Sequence, residues 1–197
     1  MQSFQCGFPG DQWHHTFRAP EGRRMVAASD GSGGEGRAAK DPRLRRVGWA
    51  FVVYDGDSLV PWAWSFGGLE AGLEEHDPES QTVPLSELVA ITMLATRTSG
   101  DVLVYCDCKY VCDLFGKDAR HWPLEGSHSA WLAALRERLL EREGRFEVVK
   151  FDSHKSHVLD LVGFYGNELA DNMAKLAAQR HQLDQDTLDK IAEQDQL

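Results

Sequence analysis

Met25-Val-Ala-Ala-Ser-Asp30-Gly-Ser-Gly33 is the stretch that decides how this chain is read. Small apolar residues run straight into an aspartate, and the glycines and serine behind it are turn formers. The pattern predicts a short strand from Met25 to Asp30 with its carboxylate at the edge of a sheet. Val47 to Tyr54 predicts a second strand, closed by the tight turn Asp55-Gly56-Asp57. Leu59 to Phe66, with large residues alternating at Trp62, Trp64 and Phe66, predicts a third strand paired to the second as a hairpin.

Further out, Thr82-Val-Pro-Leu-Ser-Glu87 opens a predicted helix from about Leu85 to Arg97, with Pro84 as its starter. Asp101 to Cys106 is an apolar strand fit for the sheet centre, and it runs into Asp107. A short helix over Lys109 to Phe115, an amphipathic helix over Ser129 to Arg142 and a strand over Phe146 to Phe151 follow. Gly166-Asn-Glu-Leu-Ala-Asp171 opens the last predicted helix, Asn167 to Gln179, and a polar helical tail extends toward Ala192. The order βββαβααβα is that of an α/β fold, a five-stranded mixed sheet with helices on both faces. Residues 1–24 read as an irregular extension, 25–180 as one folded domain and 181–197 as an acidic polar tail.

Four carboxylates stand out in this order. Asp30 and Asp107 end strands, and Glu87 and Asp171 lie on helices, so all four can converge at one sheet edge. Converging carboxylates repel unless cations lie between them. Asp and Glu with water are the ligands that suit Mg²⁺, which points to metal-dependent phosphoryl chemistry.

Bulk properties bound the alternatives. At 197 residues and 42% hydrophobic content, the chain has room for one substantial core and is not disordered wholesale. No apolar run approaches the roughly 18 residues of a membrane span. The start lacks a basic, apolar signal pattern, so an intracellular protein, cytoplasmic or nuclear, is expected rather than a secreted one. The net charge of −10 is unfavourable for phosphate binding, but it is unevenly placed. The loop from Glu70 to Glu79 carries −5 and the tail from His181 to Leu197 carries −4. What remains includes a basic stretch (Arg37, Lys40, Arg43, Arg45, Arg46) and a basic helix (Arg136, Arg138, Arg142, Arg145) able to face a nucleic-acid backbone. Cys106, Cys108 and Cys112 have no fourth zinc ligand at suitable spacing, and buried thiols are the simpler reading.

The ordered motifs resemble the type 1 ribonuclease H family, including the ribonuclease H domains of retroelement polyproteins. The resemblance covers about Met25 to Ala178 and rests on Asp-Gly-Ser, the helix Glu, the Asp closing the fourth strand and Gly-Asn-Glu-Leu-Ala-Asp. It implies that Asp30, Glu87, Asp107 and Asp171 bind two Mg²⁺ ions, with Mn²⁺ as an alternative, and cleave the RNA strand of RNA/DNA hybrids. Asp30 would bridge the ions, Asp171 helping one and Glu87 with Asp107 the other. The family's mobile histidine matches His157 in Lys155-Ser156-His157, with His154 in reserve, in a proton-transfer or product-release role. Substrate contacts are expected from Gly31, Ser32, Lys109 and Tyr110. Many family members place two amide side chains just before the helix Glu, where this chain has Val83 and Pro84, so the source of 2′-hydroxyl recognition is not readable. A monomer is expected. A free-standing enzyme and a domain of a larger reverse-transcriptase polyprotein both remain open. The competing reading from another class is a non-catalytic nucleic-acid-binding or scaffold domain. A complete carboxylate set argues against it, since close carboxylates without cations are an electrostatic burden. An exonuclease of the same architecture would usually begin with Asp-x-Glu, where this chain has Asp30-Gly31-Ser32.

Overall fold

The computed structural model describes residues 5–7, 17–19, 21–34, 40, 45–56, 58–69, 81–126, 128–152 and 161–180. In chain order these form β1 (Gln5–Gly7), β2 (Phe17–Arg18), β3 (Met25–Ser32), β4 (Gly48–Asp55), β5 (Pro61–Gly68), α1 (Val83–Arg97), β6 (Thr98–Ser99) and β7 (Val102–Cys106). There follow α2 (Lys109–Phe115), a 3₁₀ turn (Ala119–His121), α3 (Ser129–Glu141), β8 (Phe146–Lys150) and α4 (Leu161–Arg180). The main sheet has the order β1-β5-β4-β3-β7-β8. β5, β4 and β3 pair antiparallel, and β3, β7 and β8 run parallel.

The five expected strands therefore form one mixed sheet. Residues 1–24 are not wholly irregular, however. β1 adds to β5 as a sixth, edge strand, and β2 pairs in parallel with β6. Two- and three-residue strands leave no periodicity in the sequence, and their partners are remote.

Side-chain alternation sorts the core into two layers. Along β4, Trp49, Phe51 and Val53 join the larger cluster under α1, α2 and α3, while Ala50, Val52 and Tyr54 join the cluster under α4. The helix α4 lies close on the sheet because its inner residues are small. Ala170, Ala174 and Ala177 are buried, and a Cβ on Gly48 would come within 2.1 Å of the Ala174 carbonyl oxygen. Gly48→Ala is expected to destabilise the fold by about 3 kcal/mol, since backbone must move to admit the methyl group. A fall in the urea midpoint checks this; an unchanged midpoint would mean that α4 slides on the sheet at no cost.

The start of α1 is fixed from two sides. Thr82 caps it, its Oγ1 accepting from Leu85 N at 3.4 Å. The buried Gln81 accepts from Val47 N at 2.9 Å and donates to Leu69 O at 3.2 Å, tying the helix entrance to the ends of β4 and β5. Its far end is held by the basic helix. Arg138 donates to the carbonyls of Ala95 and Thr96, and Arg142 to those of Ala95 and Gly100. Cations there complement the negative end of the helix dipole. Arg142 also lies 4.8 Å from the Phe146 ring centre, and burial, then the Arg138 charge, lowers its pKa to about 10. Two of the four arginines read as a nucleic-acid face are thus engaged in holding α1.

The last helix begins at Leu161, six residues before its expected start. Gly163 and Gly166, which weaken the helical pattern, face aromatic rings. Added Cβ atoms would sit 3.3 Å from Tyr105 and 3.0 Å from Tyr54. The expected helical tail to Ala192 lies outside the described residues. No described helix is long and apolar enough to cross a membrane.

Candidate active site

Parallel pairing brings the first two carboxylates together. β3 and β7 run side by side with Ala28 level with Tyr105, and the same register carried two residues on sets Asp30 level with Asp107. Glu87 comes from the second turn of α1. That helix approaches the strand end closely because Gly31 has no side chain: a Cβ there would lie 2.4 Å from Ser86 Oγ and 2.5 Å from Glu87 N. Asp30, Glu87 and Asp107 each offer a carboxylate oxygen, and these oxygens lie within 4.8 Å of one another.

Such a cluster is electrostatically strained. Asp30 is 7% exposed and Glu87 3% exposed. Burial first, then the charges of Asp107 and Asp171, raises the pKa of Asp30 to about 7, against hydrogen bonds with Glu87 and the Gly31 N–H. That N–H donates to Asp30 Oδ1 at 2.7 Å. Glu87 is pushed well above the usual carboxylate range, by burial first and then by Asp30 and Asp107. The Glu87 Oε2 atom is buried without a hydrogen-bond partner, which is costly unless something else coordinates it. An all-oxygen donor set with an unpartnered inward oxygen fits a hard divalent cation.

The cluster opens into a cavity of about 560 Å³ whose wall includes Asn167, Glu168, Asp171 and Lys175 of α4. Asp171 shares the cavity, but it is not among the three clustered carboxylates. Its Oδ2 accepts from Lys175 Nζ at 2.7 Å. Of the expected substrate contacts, Gly31 lines the cavity and Ser32, Lys109 and Tyr110 do not. Ser32 Oγ accepts from Gly34 N. Lys109 pairs with Asp113, and the Tyr110 hydroxyl lies 3.3 Å from His128 Nδ1. His157 and His154 lie outside the described residues. Cys106 is buried beside the cluster, and Cys112 Sγ donates to its carbonyl.

Sequence reading missed Asn167, Phe164 and Lys175 as parts of the site. Asn167 is buried with an unpartnered Oδ1, and Phe164 lines the cavity. Spacings of three and four residues along α4 put these side chains on the face of Asp171, and that spacing was the available signal.

Solved structures with the same architecture include the native protease–reverse transcriptase of prototype foamy virus, 20% identical with a TM-score of 0.58 over 84% of this chain and 22% of that one. The same architecture is that of a type 1 RNase H, so the chain has the ribonuclease H fold. A foamy viral protease–reverse transcriptase in complex with an RNA/DNA hybrid is 15% identical over 80% of this chain and 20% of that one, TM-score 0.56. LC9-RNase H1, described as a type 1 RNase H with the type 2 active-site motif, is 15% identical over 80% of this chain and 73% of that one, TM-score 0.54. This chain thus spans only about a fifth of the foamy viral chains. No protein-family model matches it, and no curated protein matches it by sequence. In the ribonuclease H fold of this chain, the acidic cluster sits where β3 and β7 end and α1 begins.

Proposed function

We propose that this chain is a type 1 ribonuclease H, an endonuclease hydrolysing the RNA strand of RNA/DNA hybrids with divalent cations, Mg²⁺ or Mn²⁺. The observation that carries this reading is the convergence of Asp30, Glu87 and Asp107 within 4.8 Å on a ribonuclease H fold. A neighbour of that fold in complex with an RNA/DNA hybrid supports the substrate class.

Asp30, Glu87, Asp107 and Asp171 are the residues that would hold two ions. Bound there, the ions would activate water and stabilise the leaving oxygen of an in-line displacement. The protein's own part is positional. β3 and β7 fix Asp30 and Asp107 rigidly, and the capped start of α1 fixes Glu87. The Gly31 N–H, donating to Asp30 Oδ1, holds that carboxylate's orientation. We assign His157 to proton transfer or product release, Gly31 to substrate contact within the cavity, and Ser32, Lys109 and Tyr110 to substrate contact outside its wall. An intracellular monomer, free-standing or within a reverse-transcriptase polyprotein, completes the reading, with a catalytic domain over residues 25–180.

The product ends test this. Attack of water with the 3′-oxygen as leaving group, the course that the family resemblance implies, leaves a 5′-phosphate and a 3′-hydroxyl. RNA fragments from a digested hybrid should therefore be extendable by a polymerase without phosphatase treatment. Fragments ending in 2′,3′-cyclic phosphate would overturn the assignment, because attack by the 2′-hydroxyl needs no such ion pair.

A further inference from the structure

The acidic cavity contains a cation of the chain's own. Of the described residues lining it, Lys175 alone is positively charged, facing Asp30, Glu87, Asp107, Glu168 and Asp171. Its ammonium donates to Asp171 Oδ2 at 2.7 Å, an i,i+4 pair along α4 with the acid on the N-terminal side. That is the more favourable order for such a pair. The Lys175 and Asp171 side chains are 36% and 35% exposed. The pair is therefore sheltered enough to be felt in the cavity and open enough for the lysine to swing into water on its flexible stem.

Asp171 is already electrically part of the site, since its charge reaches Asp30. Yet its carboxylate is held apart from the cluster of three. An ammonium and a divalent ion on one carboxylate oxygen repel strongly in a partly desolvated cavity. We infer that Lys175 is a resident counterion for the second cation position: it neutralises Asp171 while that position is empty and must release it before a divalent ion can be held there. The position sharing Asp171 is then the weaker of the two, and Lys175 sets the cation concentration at which it fills. This inference rests on the metal-binding reading above. It concerns the occupancy of the site rather than its existence.

The test counts ions without substrate or turnover. The full chain, stripped of metal, is titrated with Mn²⁺, and free Mn²⁺ is followed by its paramagnetic resonance signal. Wild type, Lys175→Met and Lys175→Arg are compared. The expected result is one tighter and one weaker site in the wild type. The weaker site should tighten at least about five-fold in Lys175→Met and stay within about two-fold of wild type in Lys175→Arg, with the tighter site unmoved in both. If the wild type binds Mn²⁺ and Lys175→Met binds it identically, the inference is overturned while the metal reading stands. A Lys175→Met variant that raises KM for hybrid with unchanged Mn²⁺ binding overturns it too, and makes Lys175 a phosphate contact instead. A wild type binding no Mn²⁺ overturns both.

Discussion

Asp30→Asn should reduce cleavage of an RNA/DNA hybrid by about 10³-fold or more, with the variant fully folded. Asp30 lies on the central strand β3, two residues before its end at Ser32, and Asp107 and Glu87 of α1 complete the cluster around it. An asparagine keeps the shape and loses the charge on which cation binding depends. Asp107→Asn should act in the same direction. The substitution removes a charge whose burial is unfavourable, so the loss cannot be ascribed to unfolding if the variant melts at or above the wild-type temperature. Turnover is the measurement, with thermal unfolding alongside it. Near-normal turnover by Asp30→Asn would remove this carboxylate from the chemistry and the cluster from the mechanism.

The second large effect concerns stability without metal. In the folded chain Asp30 titrates near 7, against an ordinary value of 3.8, because burial, Asp107 and Asp171 disfavour its charged form. Below the ordinary value both folded and unfolded chains hold the proton, and Asp30 contributes no penalty. Between that value and about 7 the folded chain keeps a proton that the unfolded chain has released, so stability declines as pH rises through this window. Above it the full penalty stands, on the order of 4 kcal/mol. Asp30→Asn has no such titration. Melted in chelator, the variant should match the wild type near pH 4 and exceed it by on the order of 10 °C at pH 8. Saturating Mg²⁺ should raise the wild type toward the variant and leave the variant nearly unmoved. A difference between the two proteins that does not change with pH would contradict the strained-cluster account.

The fold was legible where burial repeats at the period of an element. Val47 to Tyr54 read as a strand from its run of β-branched and aromatic residues, and the structure sends Trp49, Phe51 and Val53 into one core and Ala50, Val52 and Tyr54 into the other. The site was legible because its members stand beside strong local punctuation, with Asp30 before Gly31, Glu87 behind Thr82 and Pro84, and Asp107 after an apolar run, although β3 continues past Asp30 to Ser32. What stayed hidden depends on contacts between distant segments. Gly163 and Gly166 argue against helix until the rings of Tyr105 and Tyr54 are known to lie against them. Arg138 and Arg142 look like a free basic face until the carbonyl end of α1 is placed beneath them. The Asp171–Lys175 spacing was visible, but only the packing of α4 on β3 and β4 shows that the pair overlooks the acidic cavity.

Val83 and Pro84 bear on specificity. They stand where many members of the ribonuclease H family that the sequence resembles carry amide side chains before the helix Glu, and both sit in the first turn of α1. Under the proposed function, recognition of the 2′-hydroxyl would fall to groups elsewhere on the cavity wall, where Gly31 and Asn167 offer backbone and amide atoms.

Cleavage of an end-labelled RNA/DNA hybrid by the full chain tests directly whether the acidic cluster is a ribonuclease H active site. Mg²⁺ and chelator arms would be run beside matched double-stranded DNA and single-stranded RNA. The predicted result is cutting of the hybridised RNA strand alone, and only with Mg²⁺. Cutting that persists in chelator, or a folded protein that binds the hybrid and cuts nothing at any Mg²⁺ concentration, would contradict the account.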